Sequence, residues 1–168
     1  KTESESLAQG RIETLNRGGI ETVLLRLLPT LKAQGWTAMV VVIKEGGEML
    51  GEYNRAGIPV VVLNQRHIFG LSSLWNIYNT IKAQHPTLIM TTLFKSDMIG
   101  RLFLRFIFAQ PVVPYLVSTY NHPRYRIARI LEWLTKPLAT SYIANSDAVE
   151  SFYHKQIGVN RKKIAVAP

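Results

Sequence analysis

Residues 18–63 read GGIETVLLRLLPTLKAQGWTAMVVVIKEGGEMLGEYNRAGIPVVVL, and along them the apolar period switches between helix and strand. After the Gly18-Gly19 pair, Ile20, Val23, Leu24, Leu27, Leu28 and Leu31 recur at helical spacing, with Gly35 as the stop and Pro29 as an expected kink. Trp36 to Ile43 is a β-branched run without helical polarity, which reads as a strand buried on both faces. A short helix from about Glu48 to Ala56 ends at Gly57, and Pro59 to Leu63 is the next strand.

Working outward, the same unit recurs in kind. Leu71 to Lys82 reads as a helix with Leu74, Ile77, Tyr78 and Ile81 on one face, followed by a strand from Thr87 to Leu93. Ser96 to Phe108 is helical, Val112 to Val117 a strand, Arg124 to Lys136 a helix stopped by Pro137, and Ser141 to Ala144 a strand. Asp147 to Ile157 is helical and Lys163 to Ala167 a last strand. Strands alternating with helices imply parallel crossovers, hence an α/β fold with a doubly wound, mostly parallel, Rossmann-like sheet. Upstream, Gln9 to Leu15 offers only Ile12 and Leu15, so the first strand is expected to be short or truncated.

Composition bounds the rest. The 168 residues suffice for one domain with a sizeable core, and 47% of them are apolar. With no Cys, disulfide frameworks, cysteine nucleophiles and thiolate metal sites are excluded, and the four His are too scattered for a recognisable metal site. No apolar run approaches the roughly 20 residues that span a bilayer. Lys1 to Gln9, with Glu3 and Glu5, is neither a signal peptide nor a basic presequence, which points to the cytoplasm. The net charge of +9 is uneven: residues 1–84 carry 9 basic and 7 acidic side chains, residues 85–168 carry 11 and 4. The second half should face something anionic.

In open α/β sheets ligands bind beyond the carboxyl ends of the strands, so the strand-to-helix loops carry the candidate sites. Gly18 and Gly19 let a ligand approach the backbone at a helix N-terminus, which favours phosphate, although a tight turn would use the same pair. Neither GxGxxG nor GxxxxGK[ST] is present. In Thr91 to Asp97, Thr92, Lys95 and Asp97 could hydrogen-bond a polyhydroxylated substrate, while Ser96 or Asp97 could cap the next helix. Ser118 to Arg124 places His122 among Tyr120, Asn121 and Arg124, the best candidate for contacting a reacting or anionic group. Ser146 or Asp147 is an expected N-cap.

These segments, in this order, resemble the amino-terminal half of a family 4 (group 1) retaining glycosyltransferase of the GT-B fold. The resemblance rests on ETLNRGGIETVLLRLLPTLKAQG, AGIPVVVL, TTLFKSDMIGRL, VVPYLVSTYNH and YIANSDAVESFYHKQIGVNRKKIAVAP. It implies that residues 1–168 form a single acceptor-side, Rossmann-like domain, with the carboxy-terminal donor-binding domain absent and the chain inactive alone. It further implies transfer of a sugar from a nucleotide-sugar donor to an acceptor hydroxyl, glycan or lipid-linked, as in surface-polysaccharide biosynthesis, with retention and without a cofactor or catalytic metal. Gly18 and Gly19 would lie against the donor diphosphate, Asn121 to Arg124 would reach the sugar with His122 as the catalytic candidate, and Ser146 and Thr92 to Asp97 would border the cleft. Many relatives carry His where this chain has Met90 and Thr92, and the family's cleft His often falls at the position of Asn121, so either the loop is one residue longer here and His122 serves, or Asn121 takes the place.

On a helical wheel started at Arg126, the expected core face of Ile127, Ile130, Leu131 and Leu134 spans about 40° to 140°, while Arg126, Arg129, Trp133 and Lys136 span about 280° to 360°. This basic stripe with its Trp, joined by Arg101 and Arg105, which lie away from their own helix's expected core face of Met98, Ile99, Leu102, Phe103 and Phe106, is expected to face an anionic membrane, giving a peripheral location on its inner face. A solvated face touching the absent domain would show the same pattern. The alternative function is a non-enzymatic basic α/β module for nucleic acid or another anionic partner, but no RNA- or DNA-binding signature is present.

Overall fold

The computed structural model describes residues 7–12, 15–120 and 122–167. It is the expected α/β chain with parallel strands, and it divides into two compact units, Lys1–Met90 and Thr91–Pro168.

The first unit runs β1 (Leu7–Ile12), α1 (Gly19–Ala33), β2 (Thr37–Val42), α2 (Leu50–Arg55), β3 (Val60–Val62) and α3 (Leu71–Gln84). β2 is central, paired in parallel with β1 from Leu7↔Thr37 to Ile12↔Val42 and with β3 from Val40↔Val60 to Val42↔Val62. A middle strand is covered on both faces, and accordingly Val40, Val41 and Val42 are fully buried with Leu24, Leu28, Tyr53, Ile77 and Ile81. The buried Tyr53 hydroxyl donates to the Glu21 carbonyl oxygen at 2.7 Å, joining α2 to α1. β1, expected to be short or truncated, spans six residues defined by backbone pairing with β2. α1 continues through Pro29 to Ala33.

β4 (Leu88–Thr92) leads into the second unit, where α4 (Phe94–Ile99), a π-helical turn (Gly100–Leu104) and α5 (Arg105–Ile107) form one run. Then come β5 (Val112–Leu116), a 3-10 turn (Pro123–Tyr125), α6 (Arg126–Thr135), β6 (Tyr142–Ala144), α7 (Asp147–Phe152) with a π-helical turn (Tyr153–Ile157), and β7 (Ile164–Val166). β6 pairs in parallel with β5 and β7. Leu116, Tyr142, Ala144, Val149, Phe152, Tyr153 and Ile157 form the core of this unit.

Two helix faces differ from expectation. On α6 the residues read as its core side, Ile127, Ile130 and Leu134, are exposed, and the buried residues are Glu132 and Thr135. On the run from α4 to α5, Leu102 and Phe106 are exposed while Arg101 and Leu104 are buried. A buried polar partnership sets both orientations. Arg101 Nη2 lies 2.7 Å from Glu132 Oε2, and Nη1 donates to Thr135 Oγ1 at 3.0 Å. Once that guanidinium is inside, its helix and α6 must turn these sides inward, because a buried charge separated from its partner costs more than exposed aliphatic groups.

Candidate functional site

In the first unit the loops after β1, β2 and β3 lie at the carboxyl ends of parallel strands. Gly18 is the N-cap residue of α1, and its backbone carbonyl accepts from Thr22 N–H at 3.1 Å. The Glu21 carboxylate folds back beside Gly18, where any Cβ would collide with its Oε2. Burial raises the Glu21 carboxyl above the usual range, against the opposing pull of its own backbone N–H. An acid at the third helical position thus lends its charge to the helix N-terminus. Gly19 is different: it is exposed, and a Cβ there would meet nothing within 4 Å. Of the two glycines, the second leaves room for a ligand to approach.

The loop after β2 closes on this turn. Met49 N–H donates to the Leu15 carbonyl at 2.9 Å, and Gly47, at φ +68°, lies so close to the Leu15–Asn16 backbone that no side chain fits. Beyond it is a cavity of about 320 Å³ lined by Lys44, Glu45, Asn64, Gln65 and Arg66. Asn64 adopts a left-handed conformation at φ +51°, its N–H donating to the Lys44 carbonyl at 3.0 Å. Gln65 is fixed twice: its Nε2 donates to the Leu63 carbonyl at 2.7 Å, and its Oε1 accepts from Ser73 Oγ at 3.0 Å. The sequence reading missed these residues, although their position directly after strands β2 and β3 is the signal that identified the other loops.

In the second unit, Leu93 joins β4 to α4 at φ +66° and ψ 149°, a region that only glycine occupies without strain. Lys95 is exposed, whereas Thr92 and Asp97 are buried. Asp97 therefore does not stand at a cleft mouth; it is an inner carboxylate, its Oδ2 4.0 Å from Arg101 Nη2. Burial pushes the Asp97 carboxyl up to about 7, with Arg101 pulling it the other way and Glu132 adding to the rise. Two buried carboxylates face one guanidinium, and burial raises both of them. Arg101 is 0% exposed, so the expectation that it faces a membrane is corrected. Burial also raises the Glu132 carboxyl, against the pull of Arg101.

Asn121 lies outside the described residues. His122 is exposed and caps the 3-10 turn, its Nδ1 accepting from Arg124 N–H at 3.3 Å. With Nδ1 so engaged, a neutral ring carries its proton on Nε2 and presents a donor rather than a base. Arg124, also exposed, stacks 4.7 Å from the centroid of Tyr125 and donates to its hydroxyl at 2.7 Å. Tyr120 anchors this loop by edge contacts with Phe94, Tyr125 and Phe152. Ser146 is the N-cap of α7, its Oγ accepting from Val149 N–H at 3.4 Å. Of the remaining basic positions, Arg105 and Arg126 are exposed, Arg129 and Lys136 half-buried, and Trp133 exposed. Among the described residues no cluster of His, Cys, Asp and Glu could hold a metal, and no helix is long and apolar enough to cross a membrane.

The fold, with polar loops at the carboxyl ends of parallel strands, is the Rossmann-like fold of GT-B enzymes, as the solved structures it resembles bear out. Anabaena HepE, solved in complex with UDP, superposes with a TM-score of 0.72 over 95% of this chain at 21% identity. Sucrose-phosphate synthase from Thermosynechococcus elongatus gives 0.65 over 96% at 15% identity. A putative UDP-N-acetylglucosamine 2-epimerase from Listeria monocytogenes gives 0.68 over 96% at 12% identity. The chain spans 43%, 48% and 45% of these three proteins, respectively. No curated protein sequence matches it. The family model Glycosyltransferase Family 4 matches residues 17–168, and the chain belongs to that family.

Proposed function

We propose that this chain is the amino-terminal, acceptor-side domain of a retaining glycosyltransferase that moves a sugar from a nucleotide-sugar to an acceptor hydroxyl. The observation that carries the reading is the family match over residues 17–168. The UDP complex of Anabaena HepE supports a nucleotide-sugar donor. In the first unit, the open backbone at Gly19 suits close approach of a donor diphosphate, whose growing charge a helix N-terminus stabilises as it leaves. The cavity lined by Lys44, Asn64, Gln65 and Arg66 offers donors and acceptors to a hydroxylated acceptor. In the second unit, Lys95, His122 and Arg124 present cations and an N–H donor from exposed loops, roles that need no metal. Thr92 and Asp97 are buried, and Ser146 caps α7.

The test is label transfer from a panel of nucleotide-sugars by the protein together with its donor-binding domain, with the product's anomeric configuration read by NMR. Retained configuration is the expected result. Gly19→Glu, which puts a like charge where the diphosphate would sit, should raise the donor KM at least about tenfold, while Gly19→Ala should leave it nearly unchanged. Inversion, epimerisation without transfer, or a KM indifferent to Gly19→Glu would overturn the reading.

A further inference from the structure

The orientation of α6 leaves an apolar surface exposed among the described residues. Around its wheel, Glu132 and Thr135 point inward, and the opposite arc carries Trp133, Arg126, Ile130, Leu134 and Ile127 in succession. The four apolar members of that arc are 73% (Ile127), 49% (Ile130), 56% (Trp133) and 56% (Leu134) exposed. An aliphatic ridge of this kind on water is a surface made to be covered. The neighbouring run, tied to α6 through Arg101, leaves Leu102, Phe106 and Ile107 exposed as well.

The charge on this face identifies what covers it. Between Arg124 and Leu138 the charged residues are Arg124, Arg126, Arg129, Lys136 and Glu132, and Glu132 is buried against Arg101. Every exposed charge is therefore positive. Lys136 rims the ridge, its Nζ 5.4 Å from the Trp133 ring centroid and bonded to the Ile157 carbonyl at 3.0 Å. A second copy meeting this face across a two-fold axis would bring like charges together. An anionic bilayer satisfies both features, since aliphatic side chains enter the acyl boundary, Trp sits at the headgroups, and Arg and Lys meet lipid phosphate. We infer that the outward arc of α6 is a lipid-inserting surface, in which Ile127, Ile130, Trp133 and Leu134 enter an anionic bilayer and Arg126, Arg129 and Lys136 stay in its headgroup layer. This differs from a basic stripe lying on the membrane, because here the apolar ridge supplies the affinity and the charges orient it.

The test is co-sedimentation with vesicles of phosphatidylcholine containing about 30% phosphatidylglycerol, and with phosphatidylcholine alone, at about 0.1 M and about 0.5 M NaCl. The protein should bind the anionic vesicles at both salt concentrations, less tightly at the higher. Ile130→Glu should lower the partition coefficient about tenfold at both, and Arg126→Gln with Arg129→Gln should lower it mainly at low salt. Ile127→Glu, at the most exposed position, carries the same test should Ile130→Glu change the circular dichroism spectrum. Failure to bind either vesicle would overturn the inference, as would binding that high salt abolishes and neither Glu variant weakens. So would a concentration-dependent dimer, dissolved by Ile130→Glu in sedimentation velocity. Vesicle binding reads no catalysis, so its failure would leave the transferase reading standing.

Discussion

Arg101 is the residue on which the second unit turns. Its guanidinium is held by Glu132 and Thr135, with Asp97 behind it and the Tyr142 ring 6.0 Å away. Few residues are so fully buried while carrying a charge, and one that is commits every neighbouring element to its position. At the same scale, two glycines of the first unit separate structure from ligand approach. Gly47→Ala should destabilise the protein by at least about 1 kcal/mol in urea denaturation, since its φ is positive and the Leu15 backbone fills the space of a Cβ. Gly19→Ala should be neutral or slightly stabilising in the same measurement, because its surroundings are open and Ala favours a helix. Equal losses at both positions would remove the distinction on which the Gly19 site rests.

At the scale of elements, caps and π turns explain where helices begin and which way they face. Ser146 Oγ satisfies one N–H at the start of α7, and Ser146→Ala should cost about 1 kcal/mol of stability while leaving the helix in place by circular dichroism. The two π-helical turns, at Gly100–Leu104 and Tyr153–Ile157, are wider than an α-turn and rotate the helical phase of the residues beyond them. A wheel drawn at α-helical pitch therefore assigns Leu102 and Phe106 to a core side that they do not occupy. Gly100 tolerates no side chain there, because a Cβ would lie 2.7 Å from Thr91 Cγ2. For α6 the pitch was right and the face was wrong: its apolar arc was legible, but not that a single carboxylate would take the inside.

For the whole molecule, the buried carboxylates make stability depend on pH. Folded Asp97 holds its proton up to about 7, whereas an unfolded aspartate releases it near 3.8. The folded state thus binds more protons between those values, so this contribution is full at acid pH and is lost as pH rises from about 4 through about 7. The raised Glu132 carboxyl acts in the same direction. Urea melts should show stability falling by an amount on the order of 2 kcal/mol between about pH 5 and about pH 8. Asp97→Asn, which keeps size and hydrogen bonding but cannot ionise, should flatten most of that slope; an unchanged slope would place the proton elsewhere.

The sequence by itself determined the alternation of strands and helices, the parallel crossovers, the strand-end loops and the family. Each depends on local periodicity or short motifs, and elements such as β2 and α3 fall within two residues of their expected bounds. Only the tertiary structure decided which side of α6 is inside, that Arg101 and Asp97 belong to the core, and that residues 7–12 pair in parallel with β2. The physical reason is the same in the first two cases. Hydrophobic pattern ranks faces by transfer free energy, but a guanidinium and its carboxylates, once desolvated together, outweigh a few exposed methyl groups. That balance exists only where Asp97, Arg101 and Glu132, up to 35 positions apart in the chain, meet in space.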